Sequence, residues 1–145
     1  MPYPELMIKP FREELTTIGF EELTTAADVD RWMEQNRDGE PALLVINSVC
    51  GCAAGMARPG VRLALREGAR PQRLATVFAG QDVEATATAR GYFPDVPPSS
   101  PSMALWKDGE VVYFLPRHRI EGRGPEQVAA DLRAAFEEHC AVAAS

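Results

Sequence analysis

The sequence is poor in lysine, in long apolar runs and in cysteine. Only Lys9 and Lys107 are lysines among its 145 residues, acidic residues outnumber basic ones by 21 to 15, and the formal charge is −6. No basic patch is visible, which argues against nucleic acid and against an anionic membrane surface as partners. No apolar run is longer than residues 42–46, far short of the roughly 20 residues that span a bilayer, so we expect no membrane partner.

The beginning of the chain lacks a basic segment followed by an apolar one, so we expect a cytoplasmic protein without a signal peptide. Its three cysteines, an odd number, do not indicate a disulfide framework. In a reducing compartment, closely spaced cysteines are more often catalytic or metal-binding. The length and the 46% hydrophobic content predict a single domain over residues 1–145 with a core of its own.

Strand-like and helix-like segments alternate along most of the chain. The apolar runs predict strands near residues 18–23, 41–47, 73–79, 103–107 and 110–115. Helical spacing predicts helices from Thr25 to Asp38-Gly39, over 53–66 with a kink at Pro59-Gly60, over 82–91 and over 126–140. Residues 1–10, with three prolines, are expected to lie over the surface. The alternation predicts an α/β fold with a mixed central sheet flanked by helices.

Two cysteines, Cys50 and Cys52, fall where a predicted buried strand passes into a predicted helix. A helix N-terminus stabilises a thiolate, and the pKa of a cysteine there can fall from about 8.5 to about 3.5–7.5. Cys50 lies nearer the open helix end, so we predict that it is the nucleophile and that Cys52 is its resolving partner or a silent neighbour. Gly51 between them supplies the pliability that a bridge over so short a span requires.

Two other interpretations of these cysteines stay open at this point. They can be small apolar side chains of the core, or they can be thiolate ligands of a metal, completed by Cys140, His118 or His139. The spacing is not that of a zinc finger, so no metal ligand is assigned. Cys140, near the end of the last helix, is expected to have a raised pKa and to be a packing residue or an incidental surface residue. The alternative is a third redox cysteine that forms an intermolecular or a long-range bridge, and an intermolecular bridge would give a homodimer.

A second motif lies fifty residues later, where Ser100-Pro101-Ser102-Met103 leads into a predicted strand and Asp108-Gly109 predicts a hairpin. A proline before such a strand and hairpin resembles the second half of the thioredoxin fold. The resemblance implies a cis bond before Pro101, which would face the cysteines, with Ser100 and Met103 near the thiols.

The chain resembles one thioredoxin-like family more closely, the bacilliredoxins. Five segments carry the resemblance: Val45-Ile46-Asn47-Ser48-Val49-Cys50-Gly51-Cys52-Ala53, Ala57-Arg58-Pro59, Thr76-Val77-Phe78-Ala79-Gly80-Gln81-Asp82, Ser99-Ser100-Pro101-Ser102 and Arg117-His118-Arg119-Ile120-Glu121-Gly122. The resemblance implies a thiol-disulfide oxidoreductase whose substrates are proteins in mixed disulfide with bacillithiol, a low-molecular-weight thiol. Cys50 would take up the bacillithiol, and Cys52 or a second bacillithiol would clear it. No organic cofactor is bound; bacillithiol is a co-substrate.

The resemblance also implies a binding site for the carboxylates of bacillithiol. Arginine suits bidentate carboxylate binding, so Arg58 and the cluster Arg117-His118-Arg119 are candidates, with His118 taken as the binding residue of that cluster. We add Ser48, Gly51, Ser100 and Pro101 as substrate-binding residues around the thiols. Asn47 and Ser48 are expected to orient the loop by local bonds from side chain to backbone.

Two further functions remain as alternatives. One is a general reductase or isomerase of protein disulfides without preference for bacillithiol. The other is a metal-binding or redox-sensing module, which would show stoichiometric metal or a stable oxidised complex with a partner.

Overall fold

The chain folds around one five-stranded sheet. The computed structural model describes residues 3–35, 40–66 and 68–140, and the predicted helix end at Asp38-Gly39 lies outside them. Within these residues the helices are α1 (Glu5–Thr16), α2 (Ala26–Glu34), α3 (Arg58–Ala64), α4 (Val83–Arg90) and α5 (Pro125–His139). The strands are β1 (Glu21–Glu22), β2 (Ala42–Asn47), β3 (Arg73–Phe78), β4 (Ser102–Lys107) and β5 (Glu110–Leu115). None of the described helices is long and apolar enough to cross a bilayer.

The strands lie in the order β1-β3-β2-β4-β5. The pairs β1–β3 and β2–β3 are parallel, whereas β2–β4 and β4–β5 are antiparallel. Every residue of β2 is buried, as the continuous apolar run predicts for a central strand covered on both sides. The predicted α/β fold with a mixed sheet flanked by helices is confirmed.

Successive residues of β2 face opposite sides of the sheet, so each side has a core of its own. Leu43 and Val45 pack in a core that includes side chains of α1, α3 and α5. Leu44 and Ile46 pack in a second core with side chains of α2 and α4, such as Trp32. The chain therefore has three helices on one face of the sheet and two on the other.

The beginning of the chain differs from the prediction. Residues 1–10 were expected to lie over the surface, but α1 begins at Glu5 and continues through Pro10. Ile8 and Leu15 on this helix are fully buried. A proline inside a helix removes one hydrogen bond and crowds the preceding turn, a cost that the burial of one helix face offsets here.

The helix that follows the cysteines contains a wide turn. A π-helical segment, Ala53–Ala57, runs directly into α3. The sequence predicts a kink at Pro59-Gly60, and the irregularity instead lies immediately before Pro59. In a regular α-helix the ring of Pro59 would press on the carbonyl of Gly55, and a wide turn relieves that contact. Gly60 then allows a close approach to α5, because a Cβ built there would lie 2.6 Å from Cγ1 of Val128.

Candidate active site

A network of side-chain bonds fixes the loop between β2 and the wide turn. The backbone N–H of Ser48 donates to Oδ1 of Asn47 at 2.9 Å, and the N–H of Cys50 donates to Oγ of Ser48 at 3.2 Å. The amide of Asn47 also donates to the carbonyl of Phe11 in α1, at 3.2 Å. These local bonds are the kind that the residue types predict, and they set the backbone just before the first cysteine.

Arg58 contacts the same loop from the protein interior and does not reach the surface. Its side chain is only 1% exposed. Nη1 donates to Oδ1 of Asn47 at 2.9 Å and to the carbonyl of Ser48 at 3.0 Å, and Nε lies 3.3 Å from Oε1 of Glu14. The guanidinium also stacks over the ring of Phe11. The expected role of Arg58 as a direct ligand of substrate carboxylates is therefore corrected: the side chain is buried and does not line the cavity beside Cys50.

Cys50 lies at the start of the helix and is partly exposed. Its Sγ accepts the backbone N–H of Cys52 at 3.3 Å, and its carbonyl accepts the N–H of Ala53 at 3.0 Å. Burial acts to raise the pKa of the Cys50 thiol. The bonds from the N–H and side chain of Cys52, the charge of Arg117 and the N–H of Ala53 outweigh burial, so this pKa is lowered overall. Cys50 thus combines access with thiolate character.

Cys52 has the opposite environment. It is 9% exposed, and its Sγ donates to Oε2 of Glu121 at 3.7 Å. Burial, the bond to Cys50 and the negative charges of Cys50 and Glu121 raise the pKa of the Cys52 thiol, against the opposing charge of Arg117. Nε of Arg117 donates to the same Oε2 of Glu121 at 2.9 Å. The two thiols therefore differ in access and in the direction of their pKa shifts, and that Cys50 is the nucleophile stays a prediction.

A cavity of about 350 Å³, which we call the thiol cavity, opens beside Cys50. Ser48, Ser100, Arg90 and Arg117 all line it. The peptide bond before Pro101 is cis, as the thioredoxin resemblance implies. Ser102 pairs with Ile46 across β4 and β2, which brings the cis bond next to the cysteine loop. Met103 is fully buried in the same core as Cys52. The structure thus brings Ser48, Cys50 and Ser100 together as expected.

His118 lines a different, larger cavity of about 470 Å³. Arg117 belongs to both cavities, and Glu121 lies in the larger one. Gly51 is exposed and does not line either cavity, and a Cβ built on it would meet no atom within 4 Å. His118 and Gly51 therefore do not line the cavity beside Cys50, and their roles in substrate binding stay predictions.

The third cysteine lies apart from this site. Cys140 is 7% exposed, and burial raises the pKa of its thiol to about 11, although Lys107 acts in the opposite direction. The predicted raised pKa and packing role of Cys140 agree with this placement, whereas a bridge between chains requires an accessible thiol. Within residues 3–35, 40–66 and 68–140, no three His, Cys, Asp or Glu side chains are grouped so as to hold a metal ion.

Two residues of the site, Arg90 and Glu121, were not predicted from the sequence. Arg90 ends α4 and reaches the thiol cavity only because α4 packs beside the loop before Pro101, where its Nη2 donates to the carbonyl of Ser99 at 3.2 Å. No local pattern signals that contact. Glu121 stands four residues after Arg117, a spacing that does suggest an ion pair, but its contact with Cys52 depends on the fold.

Comparison with known proteins places these features in a family. A family model described as disulphide isomerase matches residues 3–140. A bacilliredoxin of Shouchella clausii is 54% identical over 144 residues, covering 97% of each chain. A bacilliredoxin of Bacillus cereus is 52% identical over 139 residues, covering 95% of each. The chain belongs to the bacilliredoxin family.

Solved structures place the family on a thioredoxin-like fold. A thioredoxin of Fasciola hepatica superposes with a TM-score of 0.55 at 19% identity, covering 83% of this chain and 99% of that one. A thioredoxin of Malassezia sympodialis gives a TM-score of 0.56 at 12% identity, covering 85% and 92%. Identities this low speak for the fold alone. The bacilliredoxin family, this fold and the paired thiols together support a thiol-disulfide oxidoreductase.

Proposed function

We propose that the protein removes bacillithiol from S-bacillithiolated proteins by thiol exchange at Cys50. One observation carries the proposal: Cys50 is open to a cavity and its pKa is lowered, whereas Cys52 two residues later is covered by Glu121 and its pKa is raised. Two thiols that differ in this way in access and in pKa suit the roles of attacking and resolving cysteine. The bacilliredoxin names of the relatives supply the substrate class.

In the first step, the Cys50 thiolate attacks the bacillithiol sulfur of the mixed disulfide. The bond between client and bacillithiol sulfurs breaks, a bond from Cys50 to bacillithiol forms, and the client leaves as a thiolate that takes a proton from water. Attack is favoured because the N–H of Cys52 and the charge of Arg117 lower the pKa of the attacking thiol and so increase the fraction that is ionised.

In the second step, Cys52 clears the adduct. Its sulfur loses a proton and attacks Cys50, bacillithiol leaves as a thiol, and the protein ends with a Cys50–Cys52 disulfide. A second bacillithiol can instead attack the adduct, which yields bacillithiol disulfide and returns the reduced protein. Either route balances, since each broken disulfide is replaced by one new disulfide.

The co-substrate is proposed to lie in the thiol cavity, where Ser48, Ser100 and Arg117 surround Cys50. Bacillithiol bears carboxylates, and Arg117 offers a cation at the edge of that cavity. Pro101 is buried between Ser100 and β4, behind the part of the cavity wall that Ser100 forms. His118 lines the adjoining cavity, which suits the client chain better than the small thiol. The partners are thus bacillithiolated cytoplasmic proteins and bacillithiol itself.

The test uses one client protein with a single cysteine, prepared once with bacillithiol and once with glutathione on that cysteine. Intact masses follow client release over time for the wild type and for Cys50→Ser, Cys52→Ser and Cys140→Ser. We expect fast release from the bacillithiolated client only, none with Cys50→Ser, a trapped Cys50 adduct with Cys52→Ser, and wild-type behaviour with Cys140→Ser.

Equal rates with both clients would contradict the preference for bacillithiol and favour a general reductase or isomerase of protein disulfides. Release that survives Cys50→Ser would remove Cys50 from the attacking role. Circular dichroism of each variant controls for folding, and the Cys140→Ser variant controls for the loss of a thiol as such.

A further inference from the structure

Arg90 is the one arginine lining the thiol cavity that has no carboxylate partner among the described residues. It lines the same cavity as Cys50, Ser100 and Arg117. Its Nη2 donates to the carbonyl of Ser99 at 3.2 Å, and its Nε is buried without a hydrogen-bond partner in the described part of the chain. The guanidinium is therefore held in place by one neutral acceptor, with donor capacity left over.

The two other arginines discussed at the site, Arg117 and Arg58, each have a carboxylate partner. Arg117 donates to Glu121 at 2.9 Å, and Arg58 lies 3.3 Å from Glu14. For Arg90, burial alone lowers the pKa, and no carboxylate of the described residues offsets it. A half-buried cation without a carboxylate partner is costly, and an anion bound in the cavity that Arg90 lines would offset that cost.

We propose that Arg90 binds a carboxylate of the low-molecular-weight disulfide or mixed disulfide that Cys50 attacks, and so makes the site selective for anionic thiols. Two acceptor oxygens of a carboxylate match the fork of an arginine, and the pair is strengthened in a partly dehydrated cavity. A carboxylate bound there would also be attracted by the charge of Arg117, which lines the same cavity. This inference rests on the proposed function, because it assigns the group that recognises the co-substrate.

The inference concerns charge, so simple disulfides of different charge test it without bacillithiol. Suitable probes are dithiodiglycolate, which is anionic, 2-hydroxyethyl disulfide, which is neutral, and cystamine, which is cationic. The Cys52→Ser protein traps the first adduct on Cys50, and its rate of formation is measured by intact mass for each probe. Comparing each variant with its parent, probe by probe, cancels the intrinsic reactivities of the three disulfides.

We expect Arg90→Met to slow adduct formation with dithiodiglycolate about tenfold, the loss of one charge-assisted contact, and to leave 2-hydroxyethyl disulfide nearly unchanged. Cystamine should react as fast or faster. Arg90→Lys should keep part of the anionic preference, and Arg62→Met, which removes an exposed arginine of α3, should change none of the rates. Added salt should weaken the anionic preference of the parent more than that of Arg90→Met, which keeps only the charge of Arg117 in the cavity wall.

Equal slowing of all three probes by Arg90→Met would assign Arg90 a structural role and overturn the inference, as would no slowing at all. Both results leave the proposed function standing, because release of the bacillithiolated client is measured separately. Failure of every probe to form an adduct on Cys50 of the parent would overturn the proposed function together with this inference.

Discussion

The thiol of Cys52 donates to the carboxylate of Glu121, with Sγ 3.7 Å from Oε2. Arg117 donates to the same oxygen and also lowers the pKa of Cys50. This ion pair therefore adds to the difference between the thiols: its anion discourages ionisation of Cys52, and its cation encourages ionisation of Cys50. Burial and hydrogen bonds have larger effects on both pKa values, and Arg117 also acts to lower that of Cys52.

Glu121→Gln should lower the pKa of Cys52, because a negative charge beside the thiol is removed while the burial of the thiol stays the same. In a Cys50→Ser background, alkylation of Cys52 at pH 7 should become roughly threefold faster, a modest effect because Glu121 is exposed and its charge is screened. The pH dependence of the alkylation rate measures the pKa directly.

Glu138→Gln is the matched control for that experiment. It makes the same chemical change at an exposed carboxylate of α5, whose only described ion pair is with His139. It should leave the Cys52 profile where it is. A Cys52 pKa that stays in place or rises in Glu121→Gln would show that the carboxylate does not act on this thiol by its charge.

The three thiols should react with iodoacetamide in the order Cys50, Cys52, Cys140. Cys50 is partly exposed with a lowered pKa, Cys52 is covered with a raised one, and the pKa of Cys140 is about 11. At pH 8 a thiol of pKa about 11 is roughly 0.1% ionised, so Cys140 should label only when the chain unfolds. Peptide mapping with and without urea gives the order, and equal rates for Cys50 and Cys52 would contradict it.

Arg58→Met should destabilise the fold by about 3 kcal/mol, because a buried cation that donates to Asn47 and Ser48 is lost and both acceptors stay buried. Urea unfolding followed by fluorescence gives the free energy of unfolding. Arg62→Met, on the exposed side of the same helix, should change it by less than about 0.5 kcal/mol. Equal small effects for both would return Arg58 to the candidates for direct binding.

Gly60→Ala should destabilise the protein by about 1–3 kcal/mol, although alanine normally favours a helix over glycine. The added Cβ would lie 2.6 Å from Cγ1 of Val128 and force α3 away from α5. Gly55→Ala meets no atom within 4 Å and should stabilise the chain by up to about 1 kcal/mol.

The Val128→Ala background tests that reason for Gly60. It removes Cγ1, the atom nearest to the new Cβ, but leaves Cβ of Val128 at 2.8 Å, so Gly60→Ala should cost less there than in the parent without becoming neutral. The four unfolding free energies form a double-mutant cycle. A cost for Gly60→Ala that does not depend on Val128 would place its origin in the helix itself.

The central architecture could be predicted because its patterns are local. The fully apolar run of β2 indicates a strand covered on both sides, and Asp108-Gly109 indicates the hairpin between β4 and β5. The first helix could not be found the same way, because Pro4 and Pro10 are typical of loops. Pro4 in fact precedes the helix, and the cost of Pro10 is met by tertiary packing that involves Ile8.

For the site, the cysteines could be found from the residues themselves, whereas the cis bond before Pro101 and the candidate Arg117 came only through the family resemblance. The positions of Arg58 and Arg90 could not be predicted. An arginine eight residues after Cys50 is expected at the surface, since arginine is rarely buried without a partner. The partners that bury Arg58 come from α1 and from β2, which only the fold brings together. Arg90 reaches the cavity for the same reason, through a helix that begins more than thirty residues after Cys50.

The wide turn at Ala53–Ala57 holds one residue more than a regular α-helical segment of the same rise. The wide turn takes up that extra residue without changing the angle between the two ends of the helix. In an unbroken α-helix, one extra residue would rotate everything before it by about 100° relative to α3. Gly60 therefore keeps its place against α5 while Cys52 stays beside Glu121, so the width of the turn holds the reactive end and the packed end in fixed phase.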